Sequence, residues 1–235
     1  MINLKKFKGK KINYSFVQGR FSNEVAGKYQ HFPINNWENE FRLARKLNFD
    51  SVEWIITDFS NPIFNSLFSK IIKKTLLKNK KKILVGGNGG SCADADHFSG
   101  ELQCTYKDSK RSAVSAINIG GMPASITAWA NDFGFETYFE RQVKAHGNKD
   151  DILFLISTGG GNLESGASTC LIKAANEAKK REMFLISLVG KSGGELKKSS
   201  DICIHVANDT TAFIQEAHMS IMHCICEVLE TELDK

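Results

Sequence analysis

The sequence predicts an α/β fold: a doubly wound, five-stranded parallel sheet flanked by helices, behind a short N-terminal extension. Three observations lead there. From residue 83 onward, short apolar segments alternate with helical ones. The apolar segments are continuous rather than alternating, so both faces of the sheet they form must be covered. Turns rich in glycine and serine follow two of them, at the strand ends where such sheets bind ligands.

Taken in order, residues 12–17 form a candidate strand. Asn36 is placed to cap a helix carrying Trp37, Phe41, Ala44 and Leu47, and residues 52–56 form a second strand. Asn61-Pro62 marks a helix start, with Pro62 at the first helical position and Ile63, Leu67, Ile71 and Leu76 as its apolar stripe. The sheet strands are expected at 83–85, 113–119, 152–157, 184–189 and 202–206. The helices between and after them are expected at 92–103, 124–131 with 136–145, 168–181, near 195–198, and 211–233. This division gives an extension over residues 1–60 and one α/β domain over 61–235.

Composition narrows the class. The chain has 235 residues, is 42% hydrophobic and carries a formal net charge of +5. Its lysine runs (Lys5, Lys6, Lys8, Lys10, Lys11; Lys73, Lys74, Lys78, Lys80, Lys81, Lys82) lack the aromatic interleaving of a nucleic-acid site and read as solvated surface. No apolar run reaches the ~18–20 residues needed to span a bilayer, and the basic N-terminus lacks the apolar stretch of a signal peptide. The six cysteines (Cys92, Cys104, Cys170, Cys203, Cys224, Cys226) show no C-x-x-C spacing and read as reduced packing residues of a cytoplasmic protein.

The segment GGNGGSCADADHFSGEL, residues 86–102, carries the chemistry. A glycine-dense turn (Gly86, Gly87, Asn88, Gly89, Gly90) opens a helix that Ser91 is expected to cap. Backbone N–H groups beside a helix N-terminus suit a phosphate or a sugar oxygen. One turn further on, His97 and Glu101 share a helix face. Ser157-Thr158-Gly159-Gly160-Gly161-Asn162 offers hydroxyls and amides at the same sheet edge, and Asn131-Asp132 offers an amide and a carboxylate. Polar Gln215, His218 and His223 sit within a last helix that is otherwise mostly apolar. His, Glu and Gln side chains are plausible ligands of a divalent ion such as zinc. Gln215 and His223 are eight residues apart, roughly 12 Å along an ideal helix, whereas metal–ligand bonds span about 2 Å. A site shared between subunits would relieve that mismatch and hints at oligomerisation. His31, His146 and His205 read as surface or packing residues.

GNGGSCADADHFSGEL, ANDFGFETYF, ISTGG, LVGKSGGELKKSSD and IQEAHMSIMH together resemble the phosphoheptose isomerases of the sugar isomerase (SIS) superfamily, over roughly residues 61–235. The resemblance implies a homotetramer with sites at subunit interfaces. It implies an aldose–ketose isomerase that converts sedoheptulose 7-phosphate to the manno-heptose 7-phosphate through an enediol, the first step toward bacterial surface heptose. It places substrate contacts on Asn88, Gly89, Gly90, Ser91, Asn131, Asp132, Ser157, Thr158, Ser168 and Gln215. Metal ligands fall on His97, Glu101, Gln215 and His223, with zinc as the implied cofactor, and the acid–base pair on Glu101 and His223. The chain departs from the family where a serine–threonine–serine turn reads Ser157-Thr158-Gly159, and where the loop after it is about six residues longer. Ser168 stands where the family has a helix-capping phosphate serine; Asn162 and Ser165 are alternatives. This loop leaves open another phosphorylated sugar as substrate. A rival class is the non-catalytic SIS domain that senses sugar phosphates or binds protein partners; the presence of Glu101, Gln215 and His223 favours the enzyme.

The first sixty residues resemble something else. YSFVQGRFS, FPINNWENEFRLARKLNFDSVEWI and DFSNP are similar to the opening of a sugar-phosphate isomerase/epimerase TIM barrel. Two strands and a helix cannot close an eight-stranded barrel, so no second active site is expected there.

Overall fold

The computed structural model describes residues 81–233 throughout, together with residues 15–17, 39, 42–43, 46–47 and 51–53. The chain divides into two compact units, Met1–Ser66 and Leu67–Lys235. In the first, β1 (Ser15–Val17) and β2 (Ser51–Glu53) pair in parallel, Phe16 opposite Val52. Asn39, Arg42, Leu43 and Lys46 between them are helical. Parallel pairing of two consecutive strands requires a crossover, and the helix supplies it. The expected boundary at 60/61, the Asn61-Pro62 helix and His31 lie outside the described residues.

The second unit contains the predicted sheet. Its strands are β3 (Ile83–Gly87), β4 (Ala116–Asn118), β5 (Ile152–Ser157), β6 (Phe184–Val189) and β7 (Ile202–His205). They lie in the order β4-β3-β5-β6-β7, all parallel. The helices are α1 (Gly90–Gln103), α2 (Pro123–Phe133), α3 (Tyr138–His146), α4 (Thr169–Lys180), α5 (Gly194–Ser199) and α6 (Thr211–Leu233). The chain steps from β3 outward to β4, then crosses back past β3 to β5. The order therefore reverses between β3 and β5, and the turns after these strands diverge around a crevice at their carboxyl ends. Gly87 pairs with Ile156, so the two turns named from the sequence start side by side.

Alternate residues of the strands feed two separate cores, as the pleat requires. On one face Val85, Phe154, Ile156, Ile186 and Leu188 pack with Ala95, Phe98 and Leu102 of α1 and Met222, Ile225, Cys226 and Leu229 of α6. On the other, Leu84, Leu153, Leu155, Leu185 and Val189 meet Tyr138, Phe139 and Val143 of α3 and Leu171, Ala174 and Ala178 of α4. The consequence for function is that α1 and α6, far apart in sequence, are neighbours on one face. At the opposite end of the sheet Asp151, 1% exposed, accepts bonds from the Lys82 backbone N–H (3.1 Å), the Lys82 ammonium (2.6 Å) and the Asn148 N–H (2.8 Å). This ties the starts of β3 and β5 together.

Two elements differ from expectation. The strand expected at 113–119 is confined to Ala116–Asn118, because the Val114 N–H donates to the Leu102 carbonyl at the end of α1 (3.0 Å) rather than to the sheet. The helix expected at 136–145 is split. Gly134 has φ +87°, a conformation that ends α2, and a 3₁₀ turn (Phe135–Thr137) precedes α3. Helix α2 is the one least covered: none of its residues is buried in the single chain, and Phe133 is 63% exposed. All six cysteines are free, and no helix among the described residues is long and apolar enough to cross a membrane.

His218 is the costly residue of this core. It is 0% exposed, and neither ring nitrogen has a hydrogen-bond partner. Burial lowers its pKa from 6.5 to about 4; the Val189 backbone lies close enough to oppose this in part, without reaching hydrogen-bond geometry. The ring is therefore neutral in the folded protein at pH 7. Between pH 6.5 and about 4 the unfolded chain binds a proton here that the folded chain does not, so stability falls as pH drops through that window. Replacing His218 by Leu removes this component. The difference in melting temperature between His218→Leu and wild type is expected to grow in favour of the variant as pH falls from 6.5 to 4, measured by circular dichroism across a pH series.

Candidate functional site

The site is built from the end of β3 upward. After Gly87 the chain turns through Asn88 and Gly89, whose φ of +54° favours glycine, and α1 begins at Gly90. The expected cap is corrected here. Gly89, not Ser91, holds the N-cap position, and Ser91 lies inside the first turn, 4% exposed, with its N–H donating to the Asn88 carbonyl (3.0 Å). The close fold-back explains the glycine at 87, since a side chain there would strike the Ser91 backbone. Gly90 is required for another reason: the Gln215 side chain of α6 lies over it, where a Cβ would be. Asn88 is oriented from the far side, its amide donating to the Cys170 sulfur of α4 (3.3 Å).

Two to three turns along α1, three of the four predicted metal ligands assemble within a single chain, while the fourth, Gln215, stays back at Gly90. His97 Nε2 is 3.7 Å from Glu101 Oε1 and 2.9 Å from Nε2 of His223 on α6. The two rings meet edge to face, centroids 5.2 Å apart at 69°. Two bare imidazole lone pairs cannot face each other at that distance. One ring must donate a proton to the other, or a cation must lie between them. The imidazole, carboxylate and amide donors of His97, His223, Glu101 and Gln215 are of the types zinc accepts. Among the described residues no three His, Cys, Asp or Glu side chains are already closed into a metal-binding group. His218 points into the core instead and takes no part.

The hydroxyl-bearing loop is shaped by its glycines. Ser157 is buried, and its Oγ accepts the Gly160 N–H (3.0 Å). Gly160 and Gly161 have φ of +71° and +81°, and their carbonyls accept the N–H groups of Leu196 (2.9 Å) and Glu195 (3.0 Å). Gly160 has no room for a side chain because it is pressed on the Gly193–Gly194 backbone. Beyond it, Asn162 organises the extra length, with its Oδ1 accepting the Ser165 N–H (2.8 Å) and its N–H donating to the Ala167 carbonyl (2.9 Å). Ser168 occupies the N-cap of α4 in the left-handed region (φ +53°) and makes no capping bond, so its hydroxyl is uncommitted to the helix. Asn131 and Asp132 sit on the exposed last turn of α2, bonded to each other (2.8 Å).

Four further contributors escape sequence reasoning. Asp94, one turn before His97, is 8% exposed with one carboxylate oxygen lacking a partner; burial raises its pKa, and the nearby His97 opposes this. Tyr106 stacks on the His223 ring, centroids 5.7 Å apart at 28°. Arg111 and Glu230 form a buried ion pair (3.0 Å) between the loop after α1 and the end of α6. Asp94 has a local signal, the i, i+3 spacing to His97. The others have none, because their partners lie up to 124 residues away.

Comparison with known proteins identifies the family. Residues 68–190 match the SIS domain family. A phosphoheptose isomerase of Helicobacter pylori (strain P12) is 44% identical over 154 residues, which span 66% of this chain and 77% of that protein. One from a Nitratiruptor species is 41% identical over 167 residues, 71% of this chain and 86% of that one. Among solved structures, a phosphoheptose isomerase from Francisella tularensis superposes with a TM-score of 0.65 at 32% identity, covering 86% of this chain and all of that chain (100%). Another from Neisseria gonorrhoeae gives 0.61 at 28% identity, covering 83% and 97%. With the five-stranded sheet, the glycine turn and the His97–Glu101–His223 group in place, the chain belongs to the phosphoheptose isomerase family of SIS-domain proteins.

Proposed function

We propose that this protein is an aldose–ketose isomerase that converts sedoheptulose 7-phosphate to the manno-heptose 7-phosphate in heptose biosynthesis. The observation that carries the reading is the meeting of Glu101, His97 and His223 between α1 and α6. Asn88, Gly89 and Gly90 would contact the substrate, and Ser91, Ser157, Thr158 and Ser168 supply hydroxyls for the phosphate. Asn131, Asp132 and Gln215 complete the set of substrate contacts. Glu101 takes a proton from C1 while O2 gains one, giving the enediol. His223 then delivers a proton to C2 as the O1 hydroxyl gives up its own, closing the aldehyde. The sum moves one hydrogen from C1 to C2 and one from O1 to O2. The His97–His223 contact holds a proton ready for the second step and fixes the ring that delivers it. His97, Glu101, Gln215 and His223 would hold a zinc ion, which when bound supplies a Lewis acid for the substrate oxygens.

The reading includes a homotetramer, supported by α2. An amphipathic helix with no buried residue and an exposed Phe133 is what a neighbouring chain covers. A cytoplasmic location is supported by six free cysteines.

Glu101→Gln is expected to lower kcat on sedoheptulose 7-phosphate by at least about 100-fold, followed by proton NMR of the sugar. Unchanged turnover removes the base, and turnover of a different sugar phosphate in the same panel moves the specificity to the 159–168 loop. Metal analysis of the purified chain is expected to find about one zinc per chain, lost in His97→Ala and His223→Ala. Light scattering is expected to give the mass of four chains; a monomer at working concentration defeats the assembly proposal.

A further inference from the structure

Opposed catalytic groups on two different helices demand that the helices keep a fixed separation. α1 carries His97 and Glu101, and α6 carries His223. At the upper end the Gln215 side chain lies over Gly90, a steric contact with no hydrogen bond among those described. At the lower end, one guanidinium spans the gap. Arg111, its side chain 2% exposed, donates from Nη1 to the Leu102 carbonyl (2.9 Å) and the Ser112 carbonyl (3.0 Å), and from Nη2 to the carbonyl of Glu101 itself. From Nε it donates to Glu230 Oε1 on α6 (3.0 Å). Glu230 lies seven residues beyond His223, on the same helix face and roughly 10 Å along the axis. Its carboxylate also receives three backbone N–H groups in succession, from Tyr106 (2.9 Å), Lys107 (3.0 Å) and Asp108 (3.2 Å). The loop so captured presents the Tyr106 ring to the His223 imidazole.

Burial works against the Glu230 charge, yet the N–H groups of Lys107 and Tyr106, then Arg111 and Asp108, outweigh it and hold its pKa below the usual carboxylate range. The carboxylate is thus a permanently charged hub at neutral pH. A planar fork is needed to reach α1, the loop and α6 at once, which a lysine ammonium cannot do.

We propose that Arg111 and Glu230 are positioning residues of the isomerase: they lock the end of α1 and the loop after it onto α6, and so set how Glu101 and Tyr106 meet His223. This rests on the isomerase reading for its kinetic effect, but the geometric effect stands apart from it. In the full chain, Glu230→Gln and Arg111→Lys are expected to lower kcat at least about tenfold with KM changed less than about twofold. They are also expected to change the ratio of C1-hydrogen exchange into D₂O to ketose conversion, since loosening α6 delays proton delivery more than proton removal. In the chelator-stripped, metal-free chain, imidazole ¹⁵N spectra of the variants should lose the paired donor and acceptor signals of the His97–His223 contact that wild type shows. If the clamp variants fail to fold, Tyr106→Leu tests the same transmission, because the Glu230 bonds from residue 106 come from its backbone. Its kcat should fall, and Tyr106→Phe should restore it. Retained kcat, exchange ratio and imidazole signals in folded clamp variants overturn the proposal, as does a Tyr106→Leu chain indistinguishable from wild type. A wild-type chain that does not turn over sedoheptulose 7-phosphate refutes the isomerase reading instead, and the imidazole spectra still decide the clamp.

Discussion

The structure depends on one contact between helices: α1 and α6 must lie side by side on the same face of the sheet. The apolar residues that achieve this are ordinary, Phe98 and Leu102 from one helix and Met222, Ile225 and Leu229 from the other, packed over Phe154 and Ile186. They bury enough surface to make the arrangement robust. What the packing cannot do is fix the rotation and height of each helix to the fraction of an ångström that proton transfer needs. Directional groups do that: the His97–His223 contact and, at the lower end, the Arg111–Glu230 pair.

The same division of labour runs through the ligand-facing turns. Glycines allow backbone to approach backbone, Gly87 against Ser91 and Gly160 against Gly193, while single polar atoms set orientation, Asn88 on Cys170 and Ser157 on Gly160. The missing third hydroxyl of the Ser157-Thr158-Gly159 turn reads differently in this light. The neighbouring glycines are held by α5, and the extra residues of the loop are folded into an asparagine-centred turn rather than left extended. This loop is therefore built on a backbone framework, with Ser168 at the N-cap of α4.

Buried polar groups carry uneven costs in this fold. His218 sits wholly inside the core with no bonding partner, a placement that costs free energy of the order of 1–3 kcal/mol. Asp94 is nearly buried with one oxygen unpartnered beside His97. Glu230, by contrast, is charged, buried and fully engaged, which is why it can act as a structural anchor.

Much of this was legible in the residues alone. Apolar runs and punctuating glycines placed the five strands, two of them (Ile152–Ser157 and Phe184–Val189) to the residue, and the last helix likewise. The i, i+4 spacing put His97 and Glu101 on one face because helix geometry is local. The start of α1, the shortened β4 and the break at Gly134 depart from the sequence reading because each depends on which of several local bonds the surrounding packing selects. That His97 meets His223, that Gln215 needs Gly90 bare, and that Glu230 gathers the loop after α1 are pairings across more than a hundred residues of chain. Sequence periodicity carries no term for them. Only the sheet order, by bringing α1 and α6 to the same face, decides which side chains become neighbours.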